Sequence, residues 1–336
     1  MFGKLSTNKK IIMKLLIPGG AGYIGSHMVR YAQEQGHDIV VLDDFSTGHE
    51  WAVKDCEVLS VNLLDHEKLS RLMKGRFFDG VIHFAAKSLV GESVKKPEQY
   101  YRNNIVGTLN LIDQMLKNDM SSLVFSSTAA IFGNPIVDRI AEDHPKNPIN
   151  PYGESKLMVE NILRDICLPH DFNVTCLRYF NAAGAHVSGQ IGESHDPETH
   201  LIPNVIKAAL SNSSNLKVFG DDYSTPDGTC VRDYVHVSDL AQAHLLGLKY
   251  MQKNKGFSEF NLGNGDGFSV FEVIRSCESI LNSNIHFQIC GRRDGDPPVL
   301  VSDSQLARDE LGWNPKYNDL SDIIKSAISW HNNEKC

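Results

Sequence analysis

The chain lacks the features of a secreted, membrane-spanning or nucleic-acid-binding protein. Its seven cysteines (Cys56, Cys167, Cys176, Cys230, Cys277, Cys290 and Cys336) are odd in number and scattered. No two are close enough in sequence for a zinc knuckle, and nothing in their pattern suggests a disulfide framework, so a reducing, cytoplasmic setting is expected. No apolar run nears the roughly 20 residues that a membrane helix needs. The lysines near the start precede a short apolar run that enters a glycine-rich turn with no small-residue cleavage site, so it reads as a first strand and not a signal peptide. Residues 1–12 read as an extension, with Met13 as an alternative start. Basic residues are outnumbered, 33 to 41, giving a net charge of -8. A nucleic-acid partner would call for the opposite balance or a basic stripe. Repeats and low-complexity tracts are also missing.

What is present is globular composition over 336 residues, 41% hydrophobic and 22% charged, enough for one large or two modest domains. The first half alternates short β-rich runs ("KLLIPGG", "HDIVVLDD", "GVIHFAA", "SSLVFSS", "NVTCLRYFN") with amphipathic stretches such as "GSHMVRYAQEQG" and "NNIVGTLNLIDQMLKN". That rhythm predicts an α/β fold, a Rossmann-type doubly wound parallel sheet whose sites lie beyond the strands' carboxyl ends. After about Asn181 the loops lengthen and glycine, proline and aspartate rise. The expected division is a dinucleotide-binding domain over 13–180 with a return segment near 230–262, and a smaller α/β substrate domain over most of 181–336.

Gly19, Gly22 and Gly25 in "IPGGAGYIGSH" follow a strand and open a helix. The first glycine permits a tight turn, the second lets pyrophosphate approach the backbone, and the third lets helix and strand pack closely. Free amides and the helix dipole then favour the anion. A glycine turn can also exist without a ligand, but the second strand ends at Asp43, 18 residues after Gly25. A carboxylate there accepts from an adenosine ribose and repels a 2′-phosphate, which selects NAD over NADP.

In "NPYGESKLMVE", Asn150 is a plausible cap, Pro151 suits a first helical turn, and Tyr152 and Lys156 are four apart, hence on one face. Free tyrosine titrates at about 10, and a nearby cation favours phenolate. Alone the pair would more often be a surface contact. Upstream, "VFSSTAA" places Ser126, Ser127 and Thr128 at a strand's carboxyl end, where a hydroxyl can relay a proton from a substrate alcohol. Hydroxyl, tyrosine and lysine beside a nicotinamide site describe alcohol–ketone chemistry.

With these motifs the sequence resembles the extended short-chain dehydrogenase/reductase family and, within it, the UDP-glucose 4-epimerases. The resemblance runs from about Lys14 to Trp330. It is carried by "GGAGYIGSH", "VLDD", "HFAA", "VGESVKKPEQYYRNN", "FSSTAAIFG", "PYGESKLMVE", "LRYFNAAGAH", "GTCVRDYVHVSDLA", "NLGNG" and "RRDGDPP". It implies an isomerase that keeps NAD bound, oxidises C4 of a UDP-hexose to a ketone, lets the sugar turn and reduces it on its other face. Tyr152 would be the base, Thr128 the bridge, and Lys156 would hold the nicotinamide ribose and lower the phenol's pKa. Beside the glycines and Asp43, it places Tyr23, Ile24, Asn62, Leu63, Phe84, Ala85, Ala86, Asn103, Ser126 and Tyr179 at the cofactor. Asn181, His200, Leu201, Phe219, Arg232, Arg293, Asp296 and Leu300 fall at the UDP-sugar with Thr128 and Tyr152, and a homodimer through helices of the first domain is implied.

Some positions depart from the family pattern. Pro18 replaces a usual threonine, Asn62 an aspartate and His200 an asparagine. Ser88 stands where some relatives carry lysine, with Lys87 one place earlier. Leu300 falls at the sugar gate, where tyrosine excludes and a small residue admits N-acetylated sugars, so UDP-N-acetylglucosamine stands as an alternative substrate. A dehydratase would carry an acidic pair after Thr128, where this chain has Ala129 and Ala130. A non-turnover NAD sensor would have no need of both Tyr152 and Lys156. "GESHDPETH" contains Glu193, His195, Asp196, Glu198 and His200, but without helical ligand spacing and with glycine and proline marking a loop. The expectation there is no metal and a solvated acidic loop near substrate.

Overall fold

The structure, a computed structural model, describes residues 11–211, 216–293 and 296–333. Most of the expected N-terminal extension, Cys336 and two residues of "RRDGDPP" lie outside the described residues. In chain order the elements begin β1 (Lys14–Pro18), α1 (Tyr23–Glu34), β2 (Asp38–Asp43), β3 (Glu57–Ser60), α2 (His66–Met73), β4 (Gly80–His83), α3 (Val90–Lys95) and α4 (Pro97–Tyr101). Next come a π-helical turn (Arg102–Val106), α5 (Gly107–Lys117), β5 (Ser122–Thr128), α6 (Pro151–Cys167), β6 (Asn173–Tyr179) and β7 (Asn181–Ala183). Then follow α7 (Leu201–Ser211), β8 (Leu216–Phe219), β9 (Val231–His236), α8 (Val237–Tyr250), β10 (Phe257–Leu262), β11 (Gly267–Ser269), α9 (Val270–Leu281) and β12 (Phe287–Cys290). The chain closes with β13 (Val299–Leu300), α10 (Gln305–Leu311) and α11 (Leu320–Asn333).

Seven strands form one sheet in the order β10-β6-β5-β4-β1-β2-β3, and every pairing in it is parallel. Strand parity builds its two faces. Leu15 and Ile17 pack on one side with Met28 of α1 and Leu240 of α8. Leu16 points the other way, into a cluster with Leu69 of α2, Leu111 of α5 and Val159 of α6. A sheet covered on both faces needs near-continuous apolar strands, and these strands have them. The chain reverses direction between β1 and β4, and the crevice outside that switch point is where such sheets hold ligands.

The remaining strands form smaller sheets: β9 pairs with β11 antiparallel and with β7 and β13 in parallel, and β8 pairs with β12. Ile202, Val205 and Ile206 of α7, Val273 and Ile274 of α9, and Ile323 and Ile324 of α11 form their core. The stretch read as one helix, "NNIVGTLNLIDQMLKN", begins instead within the π-helical turn. The insertion turns Asn104 inward, where its amide hydrogen-bonds the backbone of Lys87 and the Ser155 hydroxyl. Such insertions concentrate at functional sites. Among the described residues no helix is long and apolar enough to cross a membrane.

A buried charge pair fastens α6 to the sheet. Arg178 of β6 gives Nε and a terminal nitrogen to Glu160 at 3.0 and 2.6 Å, and both side chains are fully buried. Glu160 also accepts from Ser127 Oγ at 2.5 Å, and Arg178 reaches Glu259 on β10. Removing one member of a fully buried pair leaves an uncompensated charge. Arg178→Met should therefore cost about 3–5 kcal/mol of unfolding free energy, and Arg178→Met with Glu160→Met should recover part of it. Urea unfolding of the two variants and the parent checks both signs.

Candidate functional site

A cavity of about 1140 Å³ opens at the switch point and runs from the glycine turn past α6 to β8 and β9. At one end the backbone makes the site. Gly19 takes φ +78°, and a Cβ there would meet Ala85 N at 2.3 Å. At Gly25 a Cβ would meet Gly19 O at 2.1 Å. At Gly22, which precedes α1 and carries no side-chain cap, a Cβ would meet only Gly19 O at 3.5 Å. Two of the glycines are therefore required by the protein's own packing. The third has room for a Cβ as far as the protein's own atoms go, and it lines the cavity at a helix N-terminus, where anions are favoured. Asp43 accepts from Ala21 N and Phe45 N, both at 2.9 Å, so it also secures the turn. Asn62 donates to Asp44 Oδ2 at 2.5 Å, which keeps this corner acidic.

The centre is built by α6 meeting the end of β5. Asn150 Oδ1 accepts from Gly153 N at 2.9 Å, and Pro151 fills the first turn. A Cβ on Gly153 would sit 2.5 Å from Ala130 O, so this glycine lets the helix start lie directly on the strand end. Tyr152 is thereby buried beside Thr128. Thr128 Oγ1 accepts from Ala130 N at 3.2 Å. Burial raises the Tyr152 pKa, and Thr128 opposes that rise. Lys156 is buried beneath, with Nζ donating to Ser126 O at 2.8 Å and lying 4.6 Å from the Phe125 ring centre. Burial lowers its pKa from 10.5 to about 7.

At the far end Arg232 lies 3.3 Å from Asp296 Oδ1, and the Arg293 guanidinium stacks 3.9 Å from the Phe219 ring centre. Arginine forks suit diphosphate oxygens. Asn181 pairs with Tyr234 across β7 and β9, and burial pushes the Tyr234 phenol up to about 12.

The cavity wall contains Gly19, Gly22, Tyr23, Ile24, Gly25, Asp43, Asn62, Leu63, Phe84, Ala85, Ala86, Asn103, Thr128, Tyr152, Lys156 and Tyr179 from the expected cofactor and catalytic set. From the expected substrate set it contains Asn181, His200, Leu201, Phe219, Arg232, Arg293 and Asp296. Two expected residues are not in it. Ser126 turns its hydroxyl to His244 Nε2 at 2.7 Å, beneath the wall, and serves the site through its carbonyl. Leu300 packs against the cluster of Ile131, Phe132, Ile140 and Phe180. The 193–200 loop is solvated at Asp196, Pro197, Thr199 and His200, as expected, but Glu193 is 4% exposed and turns inward, with His200 Nδ1 at 2.7 Å from Glu193 and 3.0 Å from Glu198. Sequence reasoning left Lys87 unassigned and passed over Glu92, Tyr100, Lys207 and Lys217, which also line the cavity. No spacing signals them, because each comes from a different segment.

The model of the NAD dependent epimerase/dehydratase family matches residues 15–263. The chain belongs to this family. Within it, the UDP-glucose 4-epimerase of Halalkalibacterium halodurans is 47% identical over 319 residues, covering 95% of this chain and 96% of that protein. The crystal structure of UDP-glucose 4-epimerase from Brucella ovis in complex with NAD superposes with a TM-score of 0.90 at 43% identity, covering 94% of this chain and 97% of that one. The Bifidobacterium longum UDP-glucose 4-epimerase in complex with NAD+ and UDP gives 0.90 at 36%, covering 95% and 98%.

The glycines of this epimerase/dehydratase family member separate fold from ligand. Gly25→Ala should lower the melting temperature by several degrees. Gly22→Ala should leave it nearly unchanged and weaken NAD binding by at least about tenfold. Thermal melts and NAD titration of cofactor-stripped protein read the two effects. Lys156 gives a pH signature. Between about pH 7 and 10.5 the unfolded chain binds the proton that the folded chain has released, so this group makes stability rise with pH across that window. Lys156→Met should remove that part of the slope, seen as the difference between urea midpoints of the two stripped proteins at pH 6.5 and 9.

Proposed function

We propose that this cavity inverts C4 of UDP-hexoses reversibly, interconverting UDP-glucose and UDP-galactose through a 4-keto sugar. The carrying observation is that one continuous cavity is lined by Gly22 of the glycine turn, by Tyr152 and Thr128, and by Arg232 and Arg293. The residues fit NAD: Gly22 and the start of α1 would hold its pyrophosphate, Asp43 its adenosine ribose, and Lys156 its nicotinamide ribose. NAD, when bound, supplies a reversible hydride acceptor.

The chain supplies proton handling and grip. Tyr152 Oη takes the proton of the sugar 4-hydroxyl and returns it, with Thr128 bridging. Lys156 is held by Ser126 O at 2.8 Å, which fixes its Nζ one helical turn from Tyr152. Thr128 donation and a cationic Lys156 favour phenolate, against burial, which favours phenol. Arg232, Arg293 and Asp296 hold UDP, with Asn181, Leu201 and Phe219 completing the wall. Strong hold on the nucleotide and weak hold on the hexose let the sugar turn between the two half-reactions. Ala129 and Ala130 after Thr128 offer no acid for elimination, which favours epimerisation over dehydration.

The same proposal includes a homodimer through α5 and α6, supported by the exposed apolar side chains of Leu109 and Met158. It also includes a cytoplasmic setting, supported by the free cysteines among the described residues. Purified protein given UDP-galactose without added NAD should form UDP-glucose of unchanged mass. Tyr152→Phe should keep NAD and lose about 10²–10⁴ in kcat. A folded, NAD-loaded sample that makes no UDP-glucose, or a Tyr152→Phe variant at full rate, refutes the assignment.

A further inference from the structure

The loop before α7 gathers a donor set that the proposed reaction does not use. One ligand atom each from Glu193, His195, Glu198 and His200 lies within 4.8 Å of all the others. The individual approaches are 2.7 Å for His200 Nδ1 to Glu193 Oε1, 3.0 Å for His200 Nδ1 to Glu198 Oε1, and 3.3 and 3.7 Å for His195 Nδ1 to Glu193 Oε1 and Glu198 Oε2. Ligands at 2.0–2.2 Å around a tetrahedral zinc ion stand roughly 3.3–3.6 Å apart, within the spread of these distances.

A second observation comes from the hydrogen bonding of these atoms. Glu193 Oε1, His195 Nδ1 and Glu198 Oε2 are buried and make no hydrogen bond of acceptable geometry, although all lie beside oppositely charged partners. Each stands within 4.8 Å of the other ligand atoms of the group, in ion pairs that leave its hydrogen-bonding capacity unfilled. Buried polar atoms of that kind are rare in folded proteins and call for a ligand or an ion. Glu193 is more than nine-tenths buried, and its carbonyl is held by Trp330 Nε1 at 2.9 Å, so its carboxylate is presented by a fixed backbone.

We propose that Glu193, His195, Glu198 and His200 form a closed, four-ligand zinc site. Two imidazole nitrogens and two carboxylates are a donor set that zinc accepts in tetrahedral geometry. With all four positions filled by protein, no place is left for a reacting water, so the ion is structural. The site lies against Tyr23, whose ring centre is 6.2 Å from that of His195 and whose hydroxyl donates to Gly184 O at 2.6 Å. Tyr23 follows Gly22, so the ion pins the 193–200 wall to the turn that faces the dinucleotide.

Untagged, full-length protein is the material for the test. Elemental analysis by plasma mass spectrometry should find one zinc per chain. Protein stripped with a chelator should take up one equivalent of Zn²⁺ again and melt at a higher temperature with it. Co²⁺ in its place should give the intense visible absorption of a four-coordinate site. His195→Gln with Glu198→Gln should weaken zinc uptake by at least about 100-fold, since even outer-shell losses cost 10–100-fold. Zinc well below one equivalent with no re-uptake by the stripped wild-type chain overturns the proposal, and so does a double variant that binds zinc as tightly as the parent. If the double variant does not fold, the stripping and reloading of the wild-type chain decides alone, and neither readout depends on epimerase turnover.

Discussion

The seam between the end of β5 and the first three turns of α6 is the constraint on which the rest of the site depends. Three consecutive strand residues meet three helix residues spaced by four. Ser126 gives its carbonyl to Lys156, Ser127 gives its hydroxyl to Glu160, and Thr128 lies beside Tyr152. A strand advances about 3.3 Å per residue and a helix about 6 Å per four residues, so the two ladders match only over this short crossing. The match fixes the Lys156 ammonium and the Glu160 carboxylate on consecutive strand residues, one and two turns beyond Tyr152. Glu160 and Arg178 lie beneath it without solvent, where a slip of the helix would break charge-assisted bonds in a medium that cannot replace them. The rigidity of the reacting end thus comes from residues that never face the cavity.

Much of this was legible in the sequence because its signals are periodic and local. The strand–helix alternation, the glycine spacing, the Asn-Pro start of α6 and the four-residue Tyr–Lys interval each follow from geometry within a dozen residues. What escaped depends on contacts between distant segments. Ser126 reads like Thr128 as a strand-end hydroxyl, yet its oxygen is taken by His244, 118 residues away. The π-helical turn that aims Asn104 at Lys87 and Ser155 has no compositional mark. The 193–200 loop was read as solvated because its acids and histidines follow no regular period. A loop needs no period to converge, and Trp330 near the chain's end fixes the backbone that presents Glu193.

The acidic corner at Asp43 shows how one residue combines two demands. Both its carboxylate oxygens accept backbone amides, one from the glycine turn and one from the segment after β2. Burial raises its pKa and these amide bonds oppose the rise. Its negative charge, joined by that of Asp44, faces the place where an adenosine ribose is read. A 2′-phosphate there would meet two carboxylates, with Asn62 as an uncharged neighbour. Under the proposed function the carboxylate that fixes the turn would also select NAD, so a substitution at Asp43 would disturb the glycine turn along with cofactor choice.

Epimerisation asks for opposite properties at the two ends of one cavity. The nucleotide must not leave while the hexose turns, so binding energy belongs far from the reacting carbon. Under the proposed function that hold falls to Arg293, braced on Phe219, and Arg232, beside Asp296, at the β8–β9 end of the cavity. Around the sugar the chain offers short hydroxyls and a buried phenol, groups that engage one carbinol at a time. Leu300 contributes bulk from behind, through the cluster that backs Phe180. Phe180 itself lines the cavity, so the packing of Leu300 on that cluster sets part of the wall's backing.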